Sequence, residues 1–237
     1  MVAELPRSGA VVAWGSRFSG GDCEHVREQL TQVKTIHASH LAFAALKEDG
    51  SVVAWGHGRF GGDSAAVQDQ LQNVASIKAC HSAFAAIRHD GSGVAWGDLR
   101  YAGDCSAVQD QMVDLKGLQS TRGAFAGLRD VGSVVTWGNP SCGGDSSSVR
   151  ALLTDVRQLQ GNQFAFAALR GDGSVVTWGD VSFGGDCSSQ EEQLRDVREI
   201  QANDLAFAAI RADGCIVTWG HPNGGGGHVF PRPPTLA

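Results

Sequence analysis

Tryptophan recurs at a constant interval in this 237-residue chain, and every tryptophan is followed by glycine. The pairs are spaced 41 residues apart and begin at Trp14, Trp55, Trp96, Trp137, Trp178 and Trp219. A fixed period of roughly 20–50 residues is typical of proteins built from stacked units, because each unit can bury its apolar face only against its neighbours. The spacing therefore predicts one repeat array, in which the tryptophan ring of each unit packs between neighbouring units.

Each unit starts with a glycine-rich loop followed by a short helix. In the second unit, loop residues 60–63 lead into a segment where Asp63 or Ser64 is suited to be the N-cap. A side-chain oxygen there can accept a free amide of the first helical turn. Val67 and Leu71 are four residues apart and give this helix a narrow apolar stripe.

Short strands and a hairpin turn follow the helix. Residues 74–79 alternate weakly and residues 83–87 are continuously apolar. These patterns fit short strands, although a short apolar run also fits a buried helical segment. Asp90-Gly91 predicts a tight hairpin turn, since glycine accepts a positive φ. The turn recurs in the other units, with Val131 in place of the aspartate in the third.

The number of motifs gives the number of units. The apolar run around a phenylalanine occurs five times, whereas the arm that ends in Trp-Gly occurs six times. We predict an all-β repeat protein with short helices, β-propeller-like, with five complete units and partial end pieces; an open repeat array is the alternative. A single repeat domain is expected over 1–220, with a Gly/Pro-rich tail at 221–237. Its units are about 16–56, 57–97, 98–138, 139–179 and 180–220, preceded by an N-terminal strand at 11–15.

The segment from the turn to the Trp-Gly pair, for example Asp172 to Gly179, resembles the repeat of the regulator of chromosome condensation family. The resemblance covers about residues 11–220 and implies propeller blades. It also implies nucleotide exchange on a small GTPase as one function. The units are shorter than the family's usual blade, and they have a Phe-Gly-Gly-Asp loop where the family has Gly-Gln-Leu-Gly. Their constant length leaves no inserted loop long enough to act as a wedge.

Composition excludes some classes of partner. The 19 basic and 25 acidic residues give a net charge of −6, which is unlike a protein that binds nucleic acid through phosphate contacts. No apolar run reaches the roughly 18 residues of a membrane helix. The first residues lack the apolar stretch of a secretion signal. We therefore expect no nucleic acid, no membrane span and an intracellular, cytoplasmic location.

Recurring aspartates and scattered cysteines raise the question of metal sites. The aspartates lie eight residues after a tryptophan, at Asp22, Asp63, Asp104, Asp145 and Asp186. They suggest either calcium ligands or helix caps, and capping is favoured because no loop supplies further carboxylates. Cysteine alternates with serine after these aspartates, which favours reduced thiols over disulfides. No metal or cofactor is expected.

One loop position varies in residue type, whereas the phenylalanine, glycine and tryptophan positions of each unit stay constant. It lies 26 residues after each of the first five tryptophans and is occupied by His40, His81, Arg122, Gln163 and Asp204. Loops on a rigid scaffold commonly carry binding residues, and these five are the predicted partner-binding site. A second candidate surface is the helix rim, which consists of Gln68, Asp69, Gln109, Asp110, Glu191 and Glu192.

No pattern typical of a catalytic site accompanies these loops. There is no recognisable nucleophile–histidine–acid spacing, and no HExxH, P-loop or GxSxG motif occurs. We predict a non-catalytic protein-interaction scaffold, which also allows the chain to be a subunit of an assembly. The alternatives are a lectin-like ligand-binding module with one pocket per unit, or a guanine-nucleotide-exchange-type regulator.

Overall fold

The repeated sequence forms repeated antiparallel sheets. The structure is a computed structural model that describes residues 2–4 and 11–231. The chain divides into two compact units, residues 1–118 and 119–237, which are described separately. The prediction of a single domain over 1–220 stays a prediction.

The first compact unit contains a short hairpin and two three-stranded sheets. The hairpin consists of β1 (Val2–Glu4) and β2 (Val12–Trp14). The sheets consist of β3 (Val33–Ala38), β4 (Ala42–Lys47) and β5 (Val52–Gly56), and of β6 (Val74–Ala79), β7 (Ala83–Arg88) and β8 (Gly93–Gly97). In both sheets the middle strand pairs antiparallel with the strands before and after it.

The second compact unit continues the same arrangement, and its boundary with the first falls within β9 (Leu115–Ser120). Its other strands are β10 (Ala124–Arg129), β11 (Val134–Gly138), β12 (Val156–Gly161), β13 (Ala165–Arg170), β14 (Val175–Gly179), β15 (Val197–Ala202), β16 (Ala206–Arg211), β17 (Ile216–Gly220) and β18 (Val229–Phe230). The orders are β9-β10-β11, β12-β13-β14 and β15-β16-β17-β18. The five sheets confirm the predicted all-β repeat fold with five complete units.

The short helices are all 3-10 helices. They span Arg17–Ser19, Glu24–Val26, Gly58–Phe60, Ala65–Gln70, Ser106–Gln111, Pro140–Cys142, Ser147–Leu152, Val181–Phe183, Ser188–Gln190 and Pro222–Gly224. The recurring aspartates lie just before five of them. Each carboxylate accepts the backbone amide two residues later at 2.8–3.1 Å. The amide of Ser106 holds the pKa of Asp104 below its ordinary value. The aspartates therefore accept an amide of the first helical turn, as predicted, but from the position before the N-cap residue, whose own side chain makes no cap bond.

The apolar core lies between consecutive units. In the second compact unit, Ala165, Ala167 and Leu169 on one face of β13 pack with Phe207 and Trp219 of the following unit. The first compact unit repeats the contact with Ala42, Ala44, Leu46, Phe84 and Trp96. Within each compact unit, a sheet therefore covers the next one, as the period predicts for stacked units.

Five of the six tryptophans pack in this core. Trp55, Trp96, Trp137, Trp178 and Trp219 are at most 4% exposed. Each ring lies 5.2–5.4 Å from the phenylalanine ring of the strand beside it. The Nε1–H groups of Trp55, Trp96, Trp178 and Trp219 donate to glycine carbonyls at 3.0–3.2 Å. Packing is confirmed for these five.

The packing interpretation is wrong for Trp14, whose side chain is 45% exposed. Trp14 lies in β2, and β2 pairs with β1 instead of with a phenylalanine-bearing strand. Its side chain therefore lacks the aromatic neighbour that covers the other five tryptophans.

The hairpin turns explain the recurring Asp-Gly pair. Gly50 adopts a φ of +79°, in the left-handed region. Asp49 Oδ1 accepts both the amide and the hydroxyl of Ser51, at 2.9 and 2.6 Å. The hydroxyl and the amide together hold the pKa of Asp49 below its ordinary value. In the third unit, Val131 takes the place of the aspartate, and the buried Oγ of Ser133 has no hydrogen-bond partner.

We expect Val131→Asp to raise the free energy of unfolding by about 0.5–1.5 kcal/mol, the usual contribution of one satisfied hydrogen bond. The new carboxylate would accept the Ser133 hydroxyl as Asp49 accepts that of Ser51. Val131 is largely exposed, so its loss removes little packing. Urea unfolding measures the change, with Val131→Ala as the control that offers no acceptor. Equal stabilities of the two variants would contradict the prediction.

Candidate functional site

The five predicted loop residues occupy equivalent places in the fold. Each lies in the short connection between the first and the second strand of its sheet, for example His40 between β3 and β4. The side chains of His40, Arg122 and Asp204 are exposed, and those of His81 and Gln163 are partly exposed. The positions are therefore accessible, as the sequence predicts for a binding loop.

At four of the five positions, the preceding residue anchors the loop. The Ser39 hydroxyl donates to the carbonyl of Phe60 in the next unit at 2.8 Å, and it accepts the amide of Ala42. Thr121, Asn162 and Asn203 make the equivalent pair of bonds, with donor–acceptor distances of 2.6–2.9 Å to the following glycine-rich loop. These anchors hold the neighbouring residues in fixed places.

Sequence analysis missed the anchors because it treated the whole loop as variable. The sequence nevertheless contains a pattern that indicates the anchors. The first loop position is always a small polar residue, namely Ser39, Cys80, Thr121, Asn162 or Asn203. Such side chains commonly satisfy nearby backbone groups in turns.

Backbone hydrogen bonds connect the loops of successive units. The amide of His40 donates to the carbonyl of His81 at 2.9 Å. In the second compact unit, the amide of Arg122 donates to Gln163 at 2.8 Å, and the amide of Gln163 donates to Asp204 at 3.1 Å. We call these two sets the loop rows: His40–His81 in the first compact unit, and Arg122–Gln163–Asp204 in the second. Within each row, residues 41 positions apart in sequence become direct neighbours.

The first loop row has an aromatic character. The imidazole rings of His40 and His81 are stacked with their centroids 4.3 Å apart and their planes 15° apart. The ring of Phe60 lies 6.1 Å from His40 and 5.8 Å from His81. His57 meets Phe60 edge-on at 5.2 Å. Four rings thus form a partly exposed platform, which is suited to contact flat or apolar groups.

The second loop row is polar and carries both charges. Arg122, Gln163 and Asp204 offer a cation, an amide and a carboxylate in succession. An aromatic pair lies beside the row, because Phe164 follows Gln163 directly and its ring is 4.5 Å from that of Phe183. The two rows therefore present different chemistry from the same position in the repeat.

The helix rim contains residues that serve the fold. Gln68 donates to the carbonyl of Val52 at 3.1 Å and accepts the Ser64 hydroxyl at 2.9 Å. Gln109 accepts the Cys105 thiol at 3.4 Å. The acidic rim residues Asp69, Asp110, Glu191 and Glu192 are exposed. The two glutamines thus make contacts within the fold, although both are also exposed at the surface.

Neither a metal cluster nor a disulfide accompanies the loop rows. Over residues 2–4 and 11–231, no three His, Cys, Asp or Glu side chains are arranged to hold a metal ion. All six cysteines are free, and burial raises the pKa of the Cys105, Cys142 and Cys187 thiols. The described part of the chain contains no helix with the length and apolarity needed to cross a membrane.

Solved structures with the same fold exist. Prp20p from Saccharomyces cerevisiae, described with its binding to Gsp1p and histones, is 18% identical with a TM-score of 0.54. The alignment covers 83% of this chain and 59% of Prp20p. Yeast RCC1 (Prp20) bound to Kap60 is 17% identical with a TM-score of 0.52, over 83% of this chain and 57% of that one.

These likenesses show that the chain has the RCC1-type repeat fold, and that it spans less than two thirds of the length of these structures. No family model matches the sequence. The comparison with curated proteins also gives no match.

Proposed function

We propose that this chain is a non-catalytic protein-interaction scaffold that binds a protein partner through the loop rows. The observation that carries the proposal is the hydrogen-bonded succession of loops, from His40 to His81 and from Arg122 through Gln163 to Asp204. Anchored backbone with accessible side chains lowers the entropic cost of binding, because the loops are ordered before the partner arrives.

The composition of the loop rows favours a protein partner over a small molecule that binds in the same way to every unit. A lectin-like module with one pocket per unit needs the same polar residue in each unit. Here the equivalent positions carry two imidazoles, a guanidinium, an amide and a carboxylate. Mixed aromatic, charged and amide groups are typical of a protein interface, where arginine and aromatic residues supply most of the binding energy.

Nucleotide exchange on a small GTPase is the second candidate. It is supported by the fold shared with Prp20p, which is described as binding Gsp1p and histones. Gsp1p, histones and Kap60 are therefore the first purified probes, and GDP release from Gsp1p is the direct assay. Accelerated release would favour the exchange function over a scaffold role. The cytoplasmic location stays a prediction.

The test compares two variants of the full chain. The loop variant replaces His40, His81, Arg122, Gln163 and Asp204 with alanine. The rim variant replaces the exposed acidic residues Asp69, Asp110, Glu191 and Glu192 with alanine. Partners recovered with the wild-type chain, together with the three probes, are then titrated against all three proteins to obtain dissociation constants.

We expect the loop variant to bind its partner at least about 10-fold more weakly, since two truncated interface residues at about 1 kcal/mol each already exceed this loss. The rim variant should bind as the wild type does. Circular dichroism and thermal unfolding check that both variants are folded. Unchanged affinity of a folded loop variant would refute the proposal, and weaker binding by the rim variant alone would transfer the site to the rim.

A further inference from the structure

The last sheet exposes an apolar row, in which the position of Ile210 is buried in the other units. Ile210, Ile216 and Phe230 are directly paired across β16, β17 and β18 and therefore point to one face of the sheet. They are 40%, 36% and 50% exposed. The residues equivalent to Ile210 are Leu46, Ile87, Leu128 and Leu169, which are only 3–7% exposed.

The repeat explains what normally covers this face. On β13, Leu169 and the two alanines on its face pack with Phe207 and Trp219 of the following unit. On β16, Ala206 and Ala208 continue the face of Ile210. We call Ala206, Ala208, Ile210, Ile216 and Phe230 the C-terminal end face. Its residues are equivalent to those of a unit-to-unit contact; Ala206 is buried, whereas the other four are partly or largely exposed.

The opposite half of the same contact is exposed in the first compact unit. Val12 and Trp14 of β2 are 50% and 45% exposed. Their equivalents, such as Val94 and Trp96, are buried against Ala44 and Leu46 of the preceding unit. The other side of β2 is covered, since Ala13 packs with Phe43 and Trp55. We call Val12 and Trp14 the N-terminal end face.

The two end faces therefore match the two sides of an interface that the chain makes repeatedly. We propose that copies of this chain associate head to tail, with the N-terminal end face of one copy on the C-terminal end face of a second copy. The residues that define both faces are all apolar, so the contact is driven by burial of apolar surface. A heterologous contact of this kind gives a ring if the rotation closes and a filament if it does not.

The association is distinct from partner binding through the loop rows, which involves other residues. The loop variant should therefore associate like the wild type. This separates the two proposals, because either can fail while the other holds.

The test uses one blocked end per variant. Trp14→Lys places a charge on the N-terminal end face, and Ile210→Lys places one on the C-terminal end face. Val131→Lys is the matched control, since it replaces an exposed apolar residue in a hairpin turn outside both faces. Sedimentation equilibrium then gives the mass of each protein as concentration rises to about 100 µM, where a contact with a Kd of about 10 µM is mostly formed.

We expect the wild type and Val131→Lys to exceed the single-chain mass of 24.8 kDa with rising concentration. Each end-face variant alone should remain a single chain. An equal mixture of the two should form a dimer and nothing larger, because one open face of each kind remains. If either lysine variant is unfolded, the serine variants Trp14→Ser and Ile210→Ser replace the pair.

Two results would overturn the proposal. A wild-type chain that stays at the single-chain mass throughout the concentration range does not associate. Self-association of the folded Trp14→Lys or Ile210→Lys variant alone would show that the contact joins like ends or uses another surface.

Discussion

Replacing Trp137 with alanine is expected to lower the free energy of unfolding by about 3–5 kcal/mol, the usual cost of removing a large buried ring. Trp137 is 4% exposed, and its ring lies 5.4 Å from that of Phe125. The deletion leaves a cavity at a position that the fold fills with the same ring in every complete unit. Urea unfolding followed by tryptophan fluorescence and circular dichroism measures the loss.

Trp14→Ala is the matched control, measured at a concentration where the protein is a single chain. The same atoms are removed, but from a side chain that is 45% exposed and has no phenylalanine stacked on it. We expect a loss below about 1 kcal/mol, because surface substitutions seldom cost more. A loss of that small size at Trp137 would mean that the ring does not support the core.

The contrast between these tryptophans marks how far the sequence predicts the fold. The period, the apolar runs and the Asp-Gly turns correctly predict strands such as β6 and β7, since strand patterning and turn chemistry are local properties. Exposure is not local. Trp14 and Trp137 have the same immediate Trp-Gly context, but only Trp137 lies beside a strand that carries a phenylalanine.

The helices show a second limit to what the sequence predicts. The cap at Asp63 is predictable because a carboxylate two residues before an amide is a local arrangement. The type of helix is harder to predict from the sequence. Ala65–Gln70 is a 3-10 helix, whereas its apolar pair Val67 and Leu71 has the four-residue spacing of an α-helix. Leu71 lies beyond the end of the helix and is fully buried.

The candidate site was partly predictable. Equivalent positions in stacked repeats lie beside each other, so the spacing of 41 residues already indicates that His40 and His81 are neighbours. The chemistry between them depends on side-chain orientation. The stacking of the two imidazoles and the approach of Phe60 from the following loop are found only in the folded structure.

Gly62→Ala is the second substitution with a large expected effect. Gly62 lies seven residues after Trp55, where every unit has a glycine. A Cβ atom at Gly62 would lie 2.5 Å from the carbonyl carbon of Gly56 and 2.6 Å from its oxygen. Both atoms belong to the backbone, so a change of side-chain rotamer cannot relieve the clash. The loop must shift, and with it Gly61, whose carbonyl accepts the Nε1–H of Trp96.

We expect this substitution to lower the free energy of unfolding by about 2–4 kcal/mol, at the upper end of overpacking effects. Gly117→Ala is the control, because a Cβ atom there meets no atom within 4 Å. In β9 an alanine should be neutral or stabilise by up to about 1 kcal/mol, since glycine loses more backbone entropy on folding. Equal unfolding midpoints for the two variants would mean that the loop can move away from Gly56. The glycine of the Gly-Gly-Asp loop would then reflect flexibility rather than the close approach of two backbone segments.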